Sequence, residues 1–194
     1  MNTDFPLEAN FCDRTQLETT TETTLLGVVV SHDLKWNKNT EYICNKARKK
    51  LWILRRLHSL KLTFQQMFDV YTKEVRTVLE FAALVWHSSL TKKQISEIEN
   101  IQKLAFRIIL GTAYPGYSGA CAKFGTDTLE KRRLEICYRF AKKNLNSERN
   151  LFCKPSERPG LRRRTNVVRE YKCKKARFQR SSLPFLVSLL NSRA

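Results

Sequence analysis

Hydrophobic and polar residues alternate most regularly between Gly27 and Gly111, a stretch that contains neither glycine nor proline. Just before and at its start, Leu25-Leu26-Gly27-Val28-Val29-Val30 is short and β-branched, and Ser31-His32-Asp33-Leu34-Lys35-Trp36 follows it. That pattern predicts a strand entering a turn. Helical spacing then takes over, with a first helix expected from about Asn39 to Leu60. Thr63 followed three positions later by Gln66 has the form of a capping box, and opens a second helix with Met67, Val70, Tyr71, Val75, Val78 and Leu79 at three-and-four spacing. Thr91 and Gln94 repeat the cap. The third helix carries Ile95, Ile98, Ile101, Ala105, Ile108 and Ile109 on its apolar stripe and stops at Gly111. The stretch GTAYPGYSGACAKFG breaks the pattern and reads as a loop. A fourth helix opens within TDTLEKRRLEICYRFAKKNL, with Leu129, Arg133, Ile136, Cys137, Phe140 and Ala141 along one side.

Beyond Leu145 the periodicity fades. NSERNLFCKPSERPGLRRRTN holds two prolines, one glycine and five arginines, which suits an extended basic arm over residues 146–180. SSLPFLVSLLN then predicts a short C-terminal helix over 181–194, with serine capping and Pro184 in its first turn, docking back on the core. The first 24 residues carry five acidic side chains against one arginine, and the TTTETT run has no core pattern, so they read as a disordered acidic leader. The expected fold is therefore mainly α: a strand or hairpin at 25–36, a helical bundle at 37–145, the arm and the last helix.

Composition sharpens this. With 194 residues and 42% hydrophobic side chains the chain can bury an interior. Its 36 Lys and Arg against 18 Asp and Glu give a formal charge of +18 and a pI near 10.0, more than solubility requires, so a polyanionic partner is expected. Residues 1–20 lack the apolar core of a signal peptide, and the longest apolar run, Phe81 to Trp86, is far too short for a bilayer. The expectation is an intracellular protein, in nucleus or cytoplasm, with no membrane partner. Cys12, Cys44, Cys121, Cys137, Cys153 and Cys173 form no CxxC and have no nearby histidine pair, so they are read as reduced core or loop residues.

The first helix carries the most pointed signal. On a helical wheel Ile43, Ala47, Leu51, Leu54 and Leu57 gather on one side, while Arg48, Lys49, Arg55 and Arg56 fall opposite with Trp52 among them. A solvated face ordinarily mixes signs to gain intrahelical pairs, yet no carboxylate lies between Glu41 and Asp69. Phosphates would supply the missing counter-charge, and an indole can stack on a base or sugar. Lys46, Arg48, Lys49, Arg55 and Arg56 are thus candidate phosphate contacts and Trp52 a candidate stacking residue. A second basic patch comprises Lys131, Arg132 and Arg133 together with Arg162, Arg163 and Arg164 and the lysines and arginines after them. Residues 131–194 hold 19 basic and 4 acidic side chains. From this patch Arg132, Arg133, Arg162, Arg163 and Arg164 join the candidates.

Catalytic motifs do not accompany this charge. Nucleotide transfer needs paired carboxylates for metal ions, and no Asp-Asp or Asp-x-Asp occurs. Asp33, Asp69 and Asp127 are isolated, and Glu97 and Glu99 read as a solvated helix start. There is no GxxxxGK[ST], GxSxG or HExxH, and His32, His58 and His87 have no evident partners. No metal, cofactor or active site is expected.

The order of segments does bear a resemblance. LLGVVVSHDLKWNKNTEYICNKARKKLWILRRL, VRTVLEFAALVWHSSLTKKQISEIENIQKLAFRIILG, TLEKRRLEICYRFAKKN and RFQRSSLPFLVSLLN resemble the region after the catalytic palm in reverse transcriptases of jockey-like non-LTR retrotransposons, from Leu25 to Asn191. The resemblance implies that the LGV hairpin is the primer-gripping edge of the palm and that the helices are the thumb, which closes on a template-primer duplex. Residues 34–60 would be the first thumb helix, its basic face toward nucleic acid, RNA or an RNA–DNA duplex. The chain departs from the family where the aromatic-x-Asp-Asp metal site is lacking and where ETTTETT stands in place of a lysine before the strand. It is expected to be a non-catalytic binding remnant. The alternatives are a decayed open reading frame without retained activity, or a subunit that docks a separately encoded palm by adding Leu25 to Val30 as a strand.

Overall fold

Leu26 and Gly27 split the first apolar run in two. In the computed structural model, which describes residues 20–145, 152 and 168–193, both have positive φ, 47° and 79°. They form the two-residue turn of an antiparallel hairpin, β1 Glu22–Leu25 and β2 Val28–Ser31, in the register Leu25 opposite Val28. Two consecutive left-handed residues define the turn that matches strand twist. The expected strand or hairpin is thus a hairpin, and residues 22–24, assigned above to the leader, belong to its first strand; residues 1–19 lie outside the described residues. Leucine is a poor occupant of the first turn position, where Asn is favoured, and Leu26 is 88% exposed. Leu26→Asn is expected to stabilise the protein by about 0.5–1 kcal/mol, read as a higher denaturant midpoint at unchanged slope.

Trp36 is buried ahead of α1, Asn37–Ser59, whose N-terminal end is tied to the hairpin by the Val29 amide donating to Asn39 Oδ1 at 3.2 Å. Thr63 and Gln66 make the predicted reciprocal cap on α2, Phe64–Val70. The chain continues without a break through a π-helical stretch, Tyr71–Arg76, into α3, Thr77–Glu80. A left-handed Ala82 then turns it into α4, Ala83–Trp86. Thr91 and Gln94 cap α5, Lys92–Leu110, and Gln94 Nε2 also donates to the Lys35 carbonyl at 2.9 Å and to Asn37 Oδ1 at 2.8 Å. At the other end the His58 ring lies where a side chain on Gly111 would meet it at 3.3 Å. α1 and α5 therefore run parallel, start to start and end to end.

The stretch expected to be irregular contains a helix, α6, Gly116–Lys123, which lays Ala120 into the core beside Tyr117 and Phe124. Phe124 stacks on Phe68 with centroids 4.4 Å apart, and Phe106 packs against both. α7, Leu129–Leu145, follows. It leans on α4 and, with Phe152, Val168 and α9, Ser182–Ser192, encloses a second core around Cys137, Ala141, Val187 and Leu190. Ser181 stands at the start of α9 with Pro184 in its first turn, but its hydroxyl donates to the Phe178 carbonyl rather than capping the helix. Ala176–Gln179 forms a short helix, α8, so the arm is not extended there. Most of 146–167 lies outside the described residues. The fold class is mainly α with a short hairpin, and among the described residues no helix is long and apolar enough to cross a membrane.

Candidate nucleic-acid interface

One face of α1 follows directly from its sequence. Ile43, Cys44, Ala47, Leu51 and Leu54 are buried against α5 and the α2–α3 segment, with Leu57 half-buried at their end. Residues half a turn away must then point to solvent. Lys46, Arg48, Lys49, Arg55 and Arg56 are all exposed. Trp52 is 62% exposed among them, an unusual place for the residue with the most apolar surface to hide. From Arg48 to Arg56 the face extends about 12 Å, a span in which one duplex strand rises past about three to four phosphates.

Among the described residues these cations lack internal counter-charge. Lys50, on the flank, does find a partner in Glu74 of the π-helical stretch, at 2.8 Å. Among the described residues, no ion pair involves Lys46, Arg48, Lys49, Arg55 or Arg56. Arg48 Nη1 donates to Asn45 Oδ1 at 3.0 Å, and the Lys46 ammonium lies 5.6 Å from the Tyr42 ring centroid. Both contacts are local and exposed, and neither cancels charge.

The second set of candidates divides. Arg132 is held by Glu80 through Nε at 2.5 Å and Nη2 at 3.2 Å, a two-pronged pair that fastens the start of α7 to the end of α3. Its hydrogen bonds are spent inside the molecule. Arg133 is corrected outright: it is 0% exposed, its guanidinium 5.7 Å from the Trp86 ring and its Nε 3.4 Å from Nδ1 of buried His87. No phosphate can reach it. Burial holds its pKa below the usual arginine value despite the neighbouring Glu99, Glu130 and Glu80 carboxylates. Arg162, Arg163 and Arg164 lie outside the described residues. The structure thus brings together Arg48, Lys49, Trp52, Arg55 and Arg56 on one face of α1, places Lys46 on the flank of that face, and separates them all from Arg132 and Arg133.

Glu99 also departs from expectation. It is buried, not solvated: its Oε1 accepts from the Glu130 amide at 2.6 Å, capping the start of α7, and its Oε2 accepts from the Tyr117 hydroxyl. Gln102 continues this network, accepting from Tyr71 at 2.6 Å and donating to Tyr117 at 3.0 Å and to the Asp127 carbonyl at 3.2 Å. Each polar group on this path satisfies another, so the network joins four segments. Cys44 and Cys137 are buried and Cys121 and Cys173 half-buried, all free; burial pushes the Cys44 and Cys137 thiols up to about 11, away from reactivity. Among the described residues no three His, Cys, Asp or Glu side chains group as metal ligands. Comparison with protein-family models, curated proteins and solved structures finds no match to this chain.

Proposed function

We propose that the protein is a non-catalytic nucleic-acid-binding module, comparable to the thumb of a jockey-like non-LTR reverse transcriptase, that grips RNA or an RNA–DNA duplex through its phosphates. One observation carries this reading: four exposed cations, Arg48, Lys49, Arg55 and Arg56, none with an ion-pair partner among the described residues, share one face of α1 with an exposed tryptophan, with Lys46 on its flank, while the opposite face is consumed by the core. Repulsion among cations one turn apart is tolerated more easily when an external polyanion relieves it. Trp52 adds a flat surface for a base or sugar without sequence preference.

The reading is tested by titrating a short RNA–DNA duplex and following Trp52 fluorescence. With roughly five phosphates engaged, the logarithm of the association constant falls against log salt with a slope of about −4, and sequence changes in the duplex matter little. Salt-insensitive binding, or saturation without a change in tryptophan emission, removes the proposal.

A second reading rests on the hairpin. Every residue of β1 is exposed, including Leu25, and among the described residues the two-stranded sheet pairs only with itself. An incoming strand from a separately encoded polymerase palm would find unpaired backbone groups there.

A further inference from the structure

The end of the bundle where α1 and α5 both terminate carries a second cationic surface, built differently from the first. Two segments contribute it, 55–68 and 103–126, and neither contains an Asp or Glu. The His58 ring against Gly111 joins them. Some cations here balance the carbonyl ends of two parallel helices. That accounts for charge and leaves the exposed rings unexplained. Leu60 is 59% and Phe64 40% exposed at this end. The Lys123 ammonium lies 4.7 Å from the Phe64 ring centroid, and Arg107 lies 5.6 Å from that of half-buried Tyr114. Lys61 is exposed between His58 and Phe64.

An exposed ring, Phe64, and a half-buried one, Tyr114, each accompanied by a cation and with no carboxylate within four residues in sequence, match what unpaired nucleotides require: a flat apolar face for the base and a positive charge for its phosphate. We propose that this end of the bundle is a stacking platform for single-stranded nucleotides that continue from a duplex held along α1. The inference rests on the α1 reading, because the two surfaces adjoin: Leu60 lies about 12 Å along the helix from Trp52, about three to four nucleotide steps at duplex rise. An anionic membrane is the poorer fit, since an interfacial helix needs its apolar face free and here those faces are buried in the core.

The test compares one RNA–DNA duplex with blunt ends and the same duplex with a short single-stranded extension, with the free single strand and phosphatidylserine vesicles as further arms. The extended duplex is expected to bind about tenfold more tightly than the blunt one. The double variant Phe64→Leu with Tyr114→Leu keeps apolar side chains, removes the rings, and erases that preference while leaving blunt-duplex affinity unchanged. Lys123→Gln with Arg107→Gln lowers the salt slope by about one per cation for the extended duplex alone. Equal binding of the two duplexes by the unaltered protein overturns the inference, as does tighter binding of the vesicles. Ring-dependent binding of the free strand without duplex binding would uphold the platform and refute the α1 reading. No binding to any nucleic acid refutes both.

Discussion

Reversing Arg48, Lys49, Arg55 and Arg56 to glutamate lowers affinity for a short duplex by on the order of 10³-fold at physiological salt and leaves the fold intact. The magnitude follows from counterion release: each phosphate contact contributes a factor close to the reciprocal of the salt concentration, roughly fivefold at 0.15 M, and four contacts multiply. The salt slope should correspondingly collapse from about −4 to about −1. Stability should barely move, because all four side chains are exposed and glutamate is as good a helix former as arginine or lysine. A control separates this face from overall charge. Reversing Lys92, Lys93, Lys142 and Lys143, which are also exposed and lie on α5 and α7, makes the same change in net charge away from the α1 face. It should cost less than about tenfold, since separation beyond a Debye length screens those charges from the bound strand. Equal losses in the two variants would mean that the protein attracts polyanions only by its total charge.

How far the sequence could be read depended on whether the deciding interaction was local. Both capping boxes were legible because donor and acceptor are three residues apart, and Thr63–Gln66 and Thr91–Gln94 close as their spacing requires. The exposed face of α1 was legible for a similar reason: the 3.6-residue period alone separates Leu51 and Leu54 from Trp52 and Arg56. Where a distant partner decides, pattern was not enough. The hairpin turn was hidden because Leu26 continues an apolar run and does not announce a left-handed residue. Gly116 and Gly119 suggest a loop where α6 forms, yet Gly119 allows Pro115 an approach that a Cβ would meet at 2.9 Å. Glu99 has the neighbours of a solvated residue and is buried only because the start of α7 arrives to be capped. Arg133 shows position outweighing charge: its spacing places it on the apolar side with Leu129, Cys137 and Ala141, which are all buried, and it is buried with them.

That buried arginine sets up the second large effect, a loss of stability between pH 6.5 and about 4 that originates at His87. His87 is buried just after α4, with the Phe185 ring edge-on at 5.9 Å and Arg133 Nε donating toward its Nδ1 at 3.4 Å. Only a neutral imidazole can accept that bond. Protonation would set a second cation beside a guanidinium whose Nη1 and Nη2 already have no partner among the described residues. Burial first, and the Arg133 charge second, hold the His87 pKa down at about 4 against an ordinary value of 6.5. Above pH 6.5 neither the folded nor the unfolded chain carries this proton, and His87 contributes no pH dependence. As pH falls below 6.5 the unfolded chain takes up the proton and the folded chain refuses it, so stability drops. Below about 4 both bind it and the loss levels off at about 3 kcal/mol, from 1.36 kcal/mol per pKa unit. Half-buried Asp33, held near 2 by Ser31 and Lys35, acts only at lower pH, and Glu135, lowered by Arg193 and Arg139, acts below 4.5. The interval from 6.5 to 4.5 therefore isolates His87 from both. Denaturant unfolding at steps across that interval should show stability falling in the unaltered protein and nearly constant in His87→Gln, whose amide oxygen can still accept from Arg133 without titrating. Equal slopes in the two proteins would place the acid sensitivity elsewhere and leave Arg133 next to a histidine that is free to charge.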